Sequence, residues 1–161
     1  MRLSRSPTDW QLSCYPSLAV GSDGSLHIVW TECDTVLEGV AYLERTSQGE
    51  WLPIKSPFKD KWDRWVLPRS KIEIGKSGNI YVSWLESKKV GYGIKKGEIW
   101  EGPKAIVIER ERDYDPSIGG GLKLHPSMAI DSEERIHLVW DCLLKGSQID
   151  NHEIYYIEFK P

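Results

Sequence analysis

One six-residue phrase recurs three times along this chain, and the repeat limits what the sequence can fold into. It reads SLHIVW at 25–30, NIYVSW at 79–84 and RIHLVW at 135–140. When the copies are aligned on their final tryptophans, they lie 54 and 56 residues apart. A period of this size is typical of repeat architectures, in which each copy is one supersecondary unit and neighbouring units share a core.

The residues around each copy predict short antiparallel strands. A strand precedes each phrase (PSLAV, SKIEI, PSMAI), a turn leads into it (GSDGS, GKSGN, DSEER), and an aromatic strand follows it (GVAYLER, VGYGIKK, EIYYIEF). Two copies add a turn and a further tryptophan, in QGEW and KGEIW. β-Branched and aromatic residues between Gly and Asp turns favour strands, and no window has a sustained helical period. Four antiparallel strands at this period predict an all-β fold of β-propeller blades, three per chain.

The repeat also predicts where the blades lie and what their periodic residues do. The chain is divided at about 9–60, 61–115 and 116–161, all within one domain. Trp30, Trp84 and Trp140 occupy the same strand-interior position, so we expect them to pack in the core. His27 and His137 share one repeat position with Tyr81, which favours a role in hydrogen bonding within the blades over a catalytic base.

The pattern Pro-Ser-x-Ala, then Gly-x-(Ile/Leu)-His-(Ile/Leu)-Val-Trp, then a tyrosine strand and Gly-Glu-Trp resembles the repeats of sialidase-like (BNR-type) β-propellers. The resemblance covers nearly the whole chain and implies the propeller fold. It says less about function, because such propellers include sialidases, other glycan-active enzymes, lectins and scaffolds. The Asp-box of true sialidases, Ser-x-Asp-x-Gly-x-x-Trp, is not present as such: SDGSLHIVW has Asp23 and Gly24 at the wrong spacing.

Three blades are too few to close a propeller, which needs about four to eight. They would leave two apolar flanks and unpaired strand edges, and such surfaces drive association. We therefore expect a homodimer in which two half-rings form a six-bladed propeller around a two-fold axis. The third repeat lacks a fourth strand, so residues 1–8 are expected to close the last blade of the partner. The alternative is a fragment of a longer propeller, although the start at Met1 and the finish after IYYIEFKP favour a complete half-ring.

Composition and charge restrict the partners and the compartment. The formal net charge of −3 gives no general attraction to nucleic acid or to an anionic membrane. No stretch approaches the roughly 18 apolar residues of a membrane span, and MRLSRSPTDW has no apolar run typical of a signal peptide. We therefore predict a cytoplasmic protein with reduced thiols, although Cys14 and Cys33 lie almost opposite each other in the expected hairpin. The CxxC and HxxxH spacings are lacking, so neither a zinc site nor a cofactor is expected.

Two long connections carry most of the candidate ligand-binding residues. The first, 55–70, alternates lysines and arginines with aromatic rings, which suit stacking on a sugar while the cations hold an anionic group. The sequence DWQL at 9–12 recurs as RWVL at 64–67, which places two of these rings at equivalent points near the channel mouth, unless both pack between blades. The candidates from 9–12 and from the two connections, 55–70 and 108–125, are Trp10, Trp62, Arg64, Trp65, Arg69, Tyr114, Asp115 and His125.

Carboxylates are expected to follow each second strand, at Glu32, Glu86 and Asp141, and complete the list of candidates. They could bind sugar hydroxyls or act as acid and base, or they could be solvated acids without a role. The aromatic surplus, with eight Trp and seven Tyr, favours a non-catalytic binding module that holds a glycan at the channel mouth. The alternatives are a protein-interaction scaffold without a small ligand and a sialidase-type glycoside hydrolase, which a two-fold axis disfavours because each half supplies the same residues.

Overall fold

The structure is a computed structural model, and it describes residues 12–33, 38–58, 69–85, 89–107, 126–143 and 152–161. These residues form eleven β-strands in three antiparallel sheets. The strands are β1 Leu12–Val20, β2 Leu26–Cys33, β3 Glu38–Arg45, β4 Lys55–Phe58, β5 Arg69–Ile74, β6 Ile80–Leu85, β7 Lys89–Lys96, β8 Ile99–Val107, β9 Ser127–Ile130, β10 Ile136–Leu143 and β11 His152–Phe159.

Each sheet contains the strands around one copy of the six-residue phrase. Blade 1 has the order β1-β2-β3-β4, blade 2 has β5-β6-β7-β8, and blade 3 has β9-β10-β11. The prediction of an all-β fold built from propeller blades is confirmed, and the third blade has three strands in the part of the chain that the structure describes. The inner strands β1, β5 and β9 are neighbours, since β5 packs against both of the others. The three blades therefore lie side by side, with their inner strands next to one another.

Two apolar seams hold the blades together. Between blades 1 and 2, Val29, Tyr42 and Phe58 pack against Ile72 and Trp84. Blades 2 and 3 meet through a second cluster of apolar and aromatic side chains, namely Tyr81, Leu85, Val90, Tyr92, Ile94, Met128, Ile136, Leu138 and Trp140. The periodic tryptophans are buried, at 5% exposure for Trp30, 2% for Trp84 and 4% for Trp140, so their predicted place in the core is confirmed.

The expected connection 55–70 is partly strand. Lys55–Phe58 forms β4, the outer strand of blade 1, and β5 begins at Arg69. The reason is the Phe58 side chain, which is 1% exposed and packs against Trp84 of blade 2 with ring centroids 5.2 Å apart. A polar-looking segment with one well-placed aromatic residue gains enough buried apolar surface to join the sheet.

The hairpin from β1 to β2 forms as predicted but contains a bulge. Its register places Cys14 opposite Thr31 and Leu12 opposite Cys33, with an irregularity between Cys14 and Ser17. No helix among the described residues is long and apolar enough to cross a membrane.

Residues 1–8, which are expected to close the partner's last blade, lie outside the described residues. Their exchange between subunits therefore stays a prediction.

Candidate functional site

A pocket lies where the inner strands of all three blades meet. It is lined by Tyr15 and Pro16 of β1, by Arg69, Ser70 and Lys71 of β5, and by Pro126, which precedes β9. Its volume is about 190 Å³, which is below the roughly 300–1,000 Å³ of common ligand pockets. The pocket is at the end of the blades where β1 and β5 begin, and we call this the upper end. The sequence predicts a ligand site at a channel mouth, and that location stays a prediction.

The pocket is built from repeat-equivalent positions. Three residues that line the pocket lie fourteen positions before the periodic tryptophan of their own repeat. They are Pro16, Ser70 and Pro126. One residue earlier in each repeat stand Tyr15, Arg69 and His125. The first two of these also line the pocket, while His125 lies outside the described residues. At this repeat position, blade 1 therefore supplies a phenol and blade 2 a guanidinium to the pocket.

A bulge in β1 shapes one wall of the pocket. Tyr15 has a φ of 55°, in the left-handed region that few residues other than glycine adopt, and it lies within the irregular register of β1. The Arg69 guanidinium lies over the Tyr15 ring, with its carbon 4.5 Å from the ring centroid. The Ser70 hydroxyl donates to the Tyr15 carbonyl oxygen at 3.4 Å, which ties the two inner strands together. Strained backbone of this kind concentrates at functional sites.

The inner strand of the middle blade departs from the repeat in its charges. Blades 1 and 3 have Pro-Ser-x-Ala at this place, whereas blade 2 has Ser-Lys-Ile-Glu. Lys71 and Glu73 therefore stand where the other blades carry serine and alanine. They alternate along β5 with Ile72 and Ile74, which pack against blade 1, so they project from the opposite face. Neither residue was singled out from the sequence, although this departure from the repeat was a visible signal.

The environment of Glu73 favours its protonated form. Burial raises the pKa of the Glu73 carboxyl, and the neighbouring Lys71 charge offsets part of that rise. A carboxyl group whose pKa is raised can hold its proton closer to neutral pH and donate it to a leaving group. Because successive residues on one strand face lie about 7 Å apart, Glu73 is one side-chain step below Lys71 and the pocket. The site therefore combines a cation and a neighbouring carboxyl group of raised pKa on one strand.

Among the sequence-predicted site residues, the structure describes the side chains of Arg69 and Glu32. Arg69 lines the pocket. Glu32 was expected to follow β2, and this is wrong: it lies within the strand and is 5% exposed. The reason is that its carboxylate accepts a hydrogen bond from the Trp30 indole at 2.6 Å. Asp141 lies within β10, and nothing further is described of its side chain. The remaining candidates lie outside the described residues: Trp10, Trp62, Arg64, Trp65, Glu86, Tyr114, Asp115 and His125.

The two repeat-equivalent histidines take part in hydrogen bonding within their blades, as predicted. The His27 Nδ1 atom is 2.7 Å from the Tyr42 hydroxyl, which donates to Glu44 at 2.8 Å. Blade 3 repeats the arrangement: His137 Nδ1 is 2.8 Å from the Tyr156 hydroxyl, which donates to Glu158 at 2.8 Å. These histidine–tyrosine–glutamate networks lie near the turns at the lower end of the blades, away from the pocket.

The network of blade 1 continues into blade 2. The Lys95 ammonium donates to Glu44 Oε2 at 3.3 Å across the seam, and its side chain is 5% exposed. Burial alone would raise the pKa of Glu44, but the hydrogen bonds from Tyr42 and Lys95 and the lysine charge outweigh it, so the pKa is lowered. Glu44 is therefore a carboxylate that links two blades. Within the described residues, no group of three or more His, Cys, Asp or Glu side chains could hold a metal ion.

The chain shares its fold with solved glycoside hydrolases. It is similar to an α-L-arabinofuranosidase of Fusarium graminearum solved with arabinobiose, at 15% identity and a TM-score of 0.52 over 91% of this chain. A point mutant of an α-L-arabinofuranosidase of Fusarium graminearum, solved with an iminosugar inhibitor, gives 14% identity and a TM-score of 0.54 over 91% of this chain. An α-L-arabinanase of Penicillium chrysogenum complexed with arabinobiose gives 10% identity and a TM-score of 0.52 over 89%.

The chain spans about half the length of these structures, since each match covers 45% of the other chain. No protein-family model matches the sequence, and no curated protein does. The likeness shows a β-propeller fold that is shared with glycan-active proteins. It does not extend to the narrower sialidase-like family that the repeat pattern resembles.

The comparisons contradict the prediction of a non-catalytic binding module. The solved structures that share the fold are hydrolases of arabinose-containing glycans by their descriptions. The alternative interpretation from the sequence, a glycoside hydrolase, agrees better with them. The prediction relied on the tryptophan surplus as evidence of a binding surface. Trp100, which the sequence did not assign to the core, packs against Tyr42 and Phe58 in the first seam.

Proposed function

We propose that this chain forms half of the ring of a β-propeller glycoside hydrolase, with the substrate bound at the upper mouth of the central channel. The observation that carries the proposal is the charged inner strand of blade 2. Arg69, Lys71 and Glu73 stand on β5 at positions where the other blades have other residue types, and the first two line the pocket. The likeness to arabinan-active hydrolases supports the reaction class.

The described residues suit glycoside hydrolysis. Such enzymes use carboxyl groups on either side of the scissile bond, and one of them must hold a proton to release the leaving group. Glu73 fits that role, because burial raises its pKa. Lys71, next to it on the same strand face, is placed to bind a sugar hydroxyl or to stabilise the ionised carboxylate after proton transfer. Tyr15, with Arg69 above its ring, supplies a flat wall on which a sugar can stack.

Two substrate classes follow from different observations. The structures that share the fold were solved with arabinobiose or an iminosugar, which favours a substrate with α-L-arabinofuranosyl units. Arg69 and Lys71 both line the pocket, and two cations there favour a sugar with a carboxylate. The resemblance to sialidase-like repeats also implies such a substrate. We favour the arabinofuranosyl class, because it rests on likeness over nine-tenths of the chain.

The decisive experiment is hydrolysis by the purified protein. The substrates are a chromogenic α-L-arabinofuranoside, linear arabino-oligosaccharides and a fluorogenic sialoside. We expect turnover of the arabinosides and a fall in kcat of about 100-fold or more in Glu73→Gln, which keeps the shape but cannot donate the proton. The matched control is Glu98→Gln in the β7–β8 turn of the same blade, where the side chain is 81% exposed. Lack of turnover with every substrate, or equal activity in both variants, would contradict the proposal.

A further inference from the structure

Blades 1 and 3 each have one face that no other blade of this chain covers. The residues on these two faces are the repeat equivalents of residues that lie between blades inside the chain. Blade 1 turns Leu18 and Val20 outward, at 61% and 62% exposure. The repeat-equivalent positions of Leu18 are Ile72 in blade 2 and Met128 in blade 3, which are 1% and 7% exposed because the preceding blade covers them. We call the outward face of blade 1, which carries Leu18 and Val20, the blade-1 flank.

The outward face of blade 3 shows the converse. It exposes Val139, Ile154 and Tyr156 at 38%, 72% and 60%. The strand pairing shows which residues of blade 1 are their counterparts. Val139 pairs with Tyr156 as Val29 pairs with Tyr42, and Ile154 has the position of Val40. Val29 and Val40 are 0% exposed and Tyr42 is 1% exposed, because blade 2 covers them. We call the outward face of blade 3 the blade-3 flank.

The two flanks also carry the polar partners of an internal seam. Within the chain, Lys95 of blade 2 donates to Glu44 of blade 1 at 3.3 Å. The counterpart of Glu44 on the blade-3 flank is Glu158, opposite His137 as Glu44 is opposite His27. The counterpart of Lys95 on the blade-1 flank is Arg45, since Lys95 pairs with Ile80 and Arg45 with the equivalent Leu26. One flank therefore presents a carboxylate and the other presents an exposed cation.

An aromatic pair repeats in the same way. Tyr42 of blade 1 meets Trp100 of blade 2 edge to face, with ring centroids 4.9 Å apart. Tyr156 is the counterpart of Tyr42 on the blade-3 flank. Trp51 is the counterpart of Trp100, because Trp51 pairs with Arg45 as Trp100 pairs with Lys95. Tyr156 is 60% exposed, whereas Trp51 is half-buried against Trp30, Ala41 and Leu43 on the blade-1 flank. One half of this contact is thus present on each flank of the same chain.

We infer that the blade-3 flank of one copy binds the blade-1 flank of a second copy and reproduces the internal seam, with Glu158 against Arg45 of the second copy and Tyr156 against its Trp51. Two such seams, related by a two-fold axis, close two chains into a ring. A second copy fits better than another partner, because the apolar, ionic and aromatic elements all find their counterparts on this chain.

Closure would complete the pocket, because the second copy brings its own β1, β5 and β9 to the channel. A second Tyr15 and Arg69 would then line the same mouth, with a second Glu73 one side-chain step below it, so that carboxyl groups come from both copies. The inference does not rest on the proposed hydrolase activity, since it concerns the flanks and is tested by mass.

The test is the mass of the purified full chain by light scattering and sedimentation over a range of concentrations. We expect a species of twice the 18.5 kDa mass of the chain. Glu158→Arg and Arg45→Glu should each raise the dissociation constant by about 10-fold or more, and the double variant should recover most of the loss. Glu101→Arg, in an exposed ion pair with Lys96 on blade 2, makes the same charge change away from both flanks and should leave the mass unchanged.

A second variant tests the apolar part of the seam. Ile154→Asp changes a side chain that is 72% exposed in the single chain, so the blade should still fold and circular dichroism should be unchanged. We expect this variant to be a monomer. A wild-type chain that is a monomer at all concentrations, or an assembly larger than two copies, would overturn the inference. Charge reversals that change nothing, or a double variant no tighter than the single ones, would overturn the pairing of Glu158 with Arg45.

Discussion

The carboxylate of Glu134, in the turn between two strands of blade 3, accepts a hydrogen bond from the Tyr81 hydroxyl of blade 2. It also accepts hydrogen bonds from the Ser77 amide and hydroxyl, each at 3.0 Å. Glu134 has a φ of 62°, whereas the equivalent turn positions hold Gly24 and Gly78 at 85° and 83°. Blade 3 therefore places a glutamate where the turn favours glycine, and the seam contacts offset the strain.

Two substitutions at Glu134 should separate the strain from the contacts. Glu134→Ala loses the hydrogen bonds to blade 2 and keeps the unfavourable backbone, so we expect it to lower the free energy of unfolding by about 1–3 kcal/mol. Glu134→Gly loses the same contacts but relieves the left-handed conformation, and it should be more stable than the alanine variant by about 1 kcal/mol. Thermal and urea unfolding measure both. The adjacent Glu133→Ala, which changes an exposed side chain, is the control.

The same residue predicts a pH dependence. Burial raises the pKa of Glu134, but the hydrogen bonds from Tyr81 and Ser77 outweigh it and hold the pKa below its ordinary value of 4.5. Because the folded pKa is depressed, its stabilising effect is present above about pH 4.5 and is lost as the pH falls through the folded pKa. The stability gap between wild type and Glu134→Gly should therefore narrow below pH 4.5. A gap that is constant from pH 7 to pH 3 would contradict this expectation.

Two charged neighbours of His27 shift the pKa of its imidazole in opposite directions. Burial lowers the pKa of the His27 imidazole below 6.5, the Glu44 charge raises it, and the Lys95 charge lowers it. We expect the wild-type midpoint, followed by NMR of the ring protons, to lie below 6.5. Glu44→Gln should move the midpoint further down, whereas Lys95→Met should move it up. Shifts of the same sign in both variants would show that the charges across the first seam do not act on His27.

The Trp84 ring leaves no room for a side chain on the neighbouring strand. A Cβ atom at Gly91 would lie 2.2 Å from Trp84 Cε2, so the ring lies directly on the glycine backbone. We expect Gly91→Ala to lower the free energy of unfolding by about 1–3 kcal/mol, because the indole must leave its contact with Phe58. The equivalent position in blade 1 is Ala41, opposite Trp30, so Ala41→Gly is a comparison that adds no bulk. An unaltered melting temperature in Gly91→Ala would contradict the packing.

The blades were predictable because the signal is periodic and local. Trp30, Trp84 and Trp140 recur at one strand position, and strand alternation places each of them on a buried face. The strand character of Lys55–Phe58 was not predictable in this way, because it depends on Phe58 meeting Trp84 of another blade. Local patterns give the strands, whereas contacts between blades decide which marginal segments join them.

The site was only partly predictable for a different reason. Arg69 was found because it ends a segment rich in cations and aromatic rings. Lys71 and Glu73 were missed because they read as ordinary strand residues. They stand out only when the three inner strands are compared at equal repeat positions, where the other blades have serine and alanine. In a repeat protein, the departures from the repeat are therefore more informative about function than the repeat itself.

The charge of Lys71 should set the pH range over which the proposed proton donor works. Lys71 lowers a Glu73 pKa that burial raises, so Lys71→Met should raise the pKa of Glu73 further. Since a general acid acts in its protonated form, activity falls as the pH rises through this pKa. We therefore expect the alkaline limb of the kcat/KM profile to move to higher pH in Lys71→Met, and to vanish in Glu73→Gln together with most of the activity.

This prediction can be checked without turnover. The Glu73 carboxyl carbon titrates by NMR, and its signal is assigned by comparison with Glu73→Gln. Its midpoint should lie above 4.5 in the wild type and higher again in Lys71→Met. The control is Lys76→Met, in the β5–β6 turn at the lower end of the blade, which should leave the midpoint in place. If Lys71→Met instead lowers the midpoint, the lysine charge does not act on Glu73, and the assignment of Glu73 as a tuned acid fails.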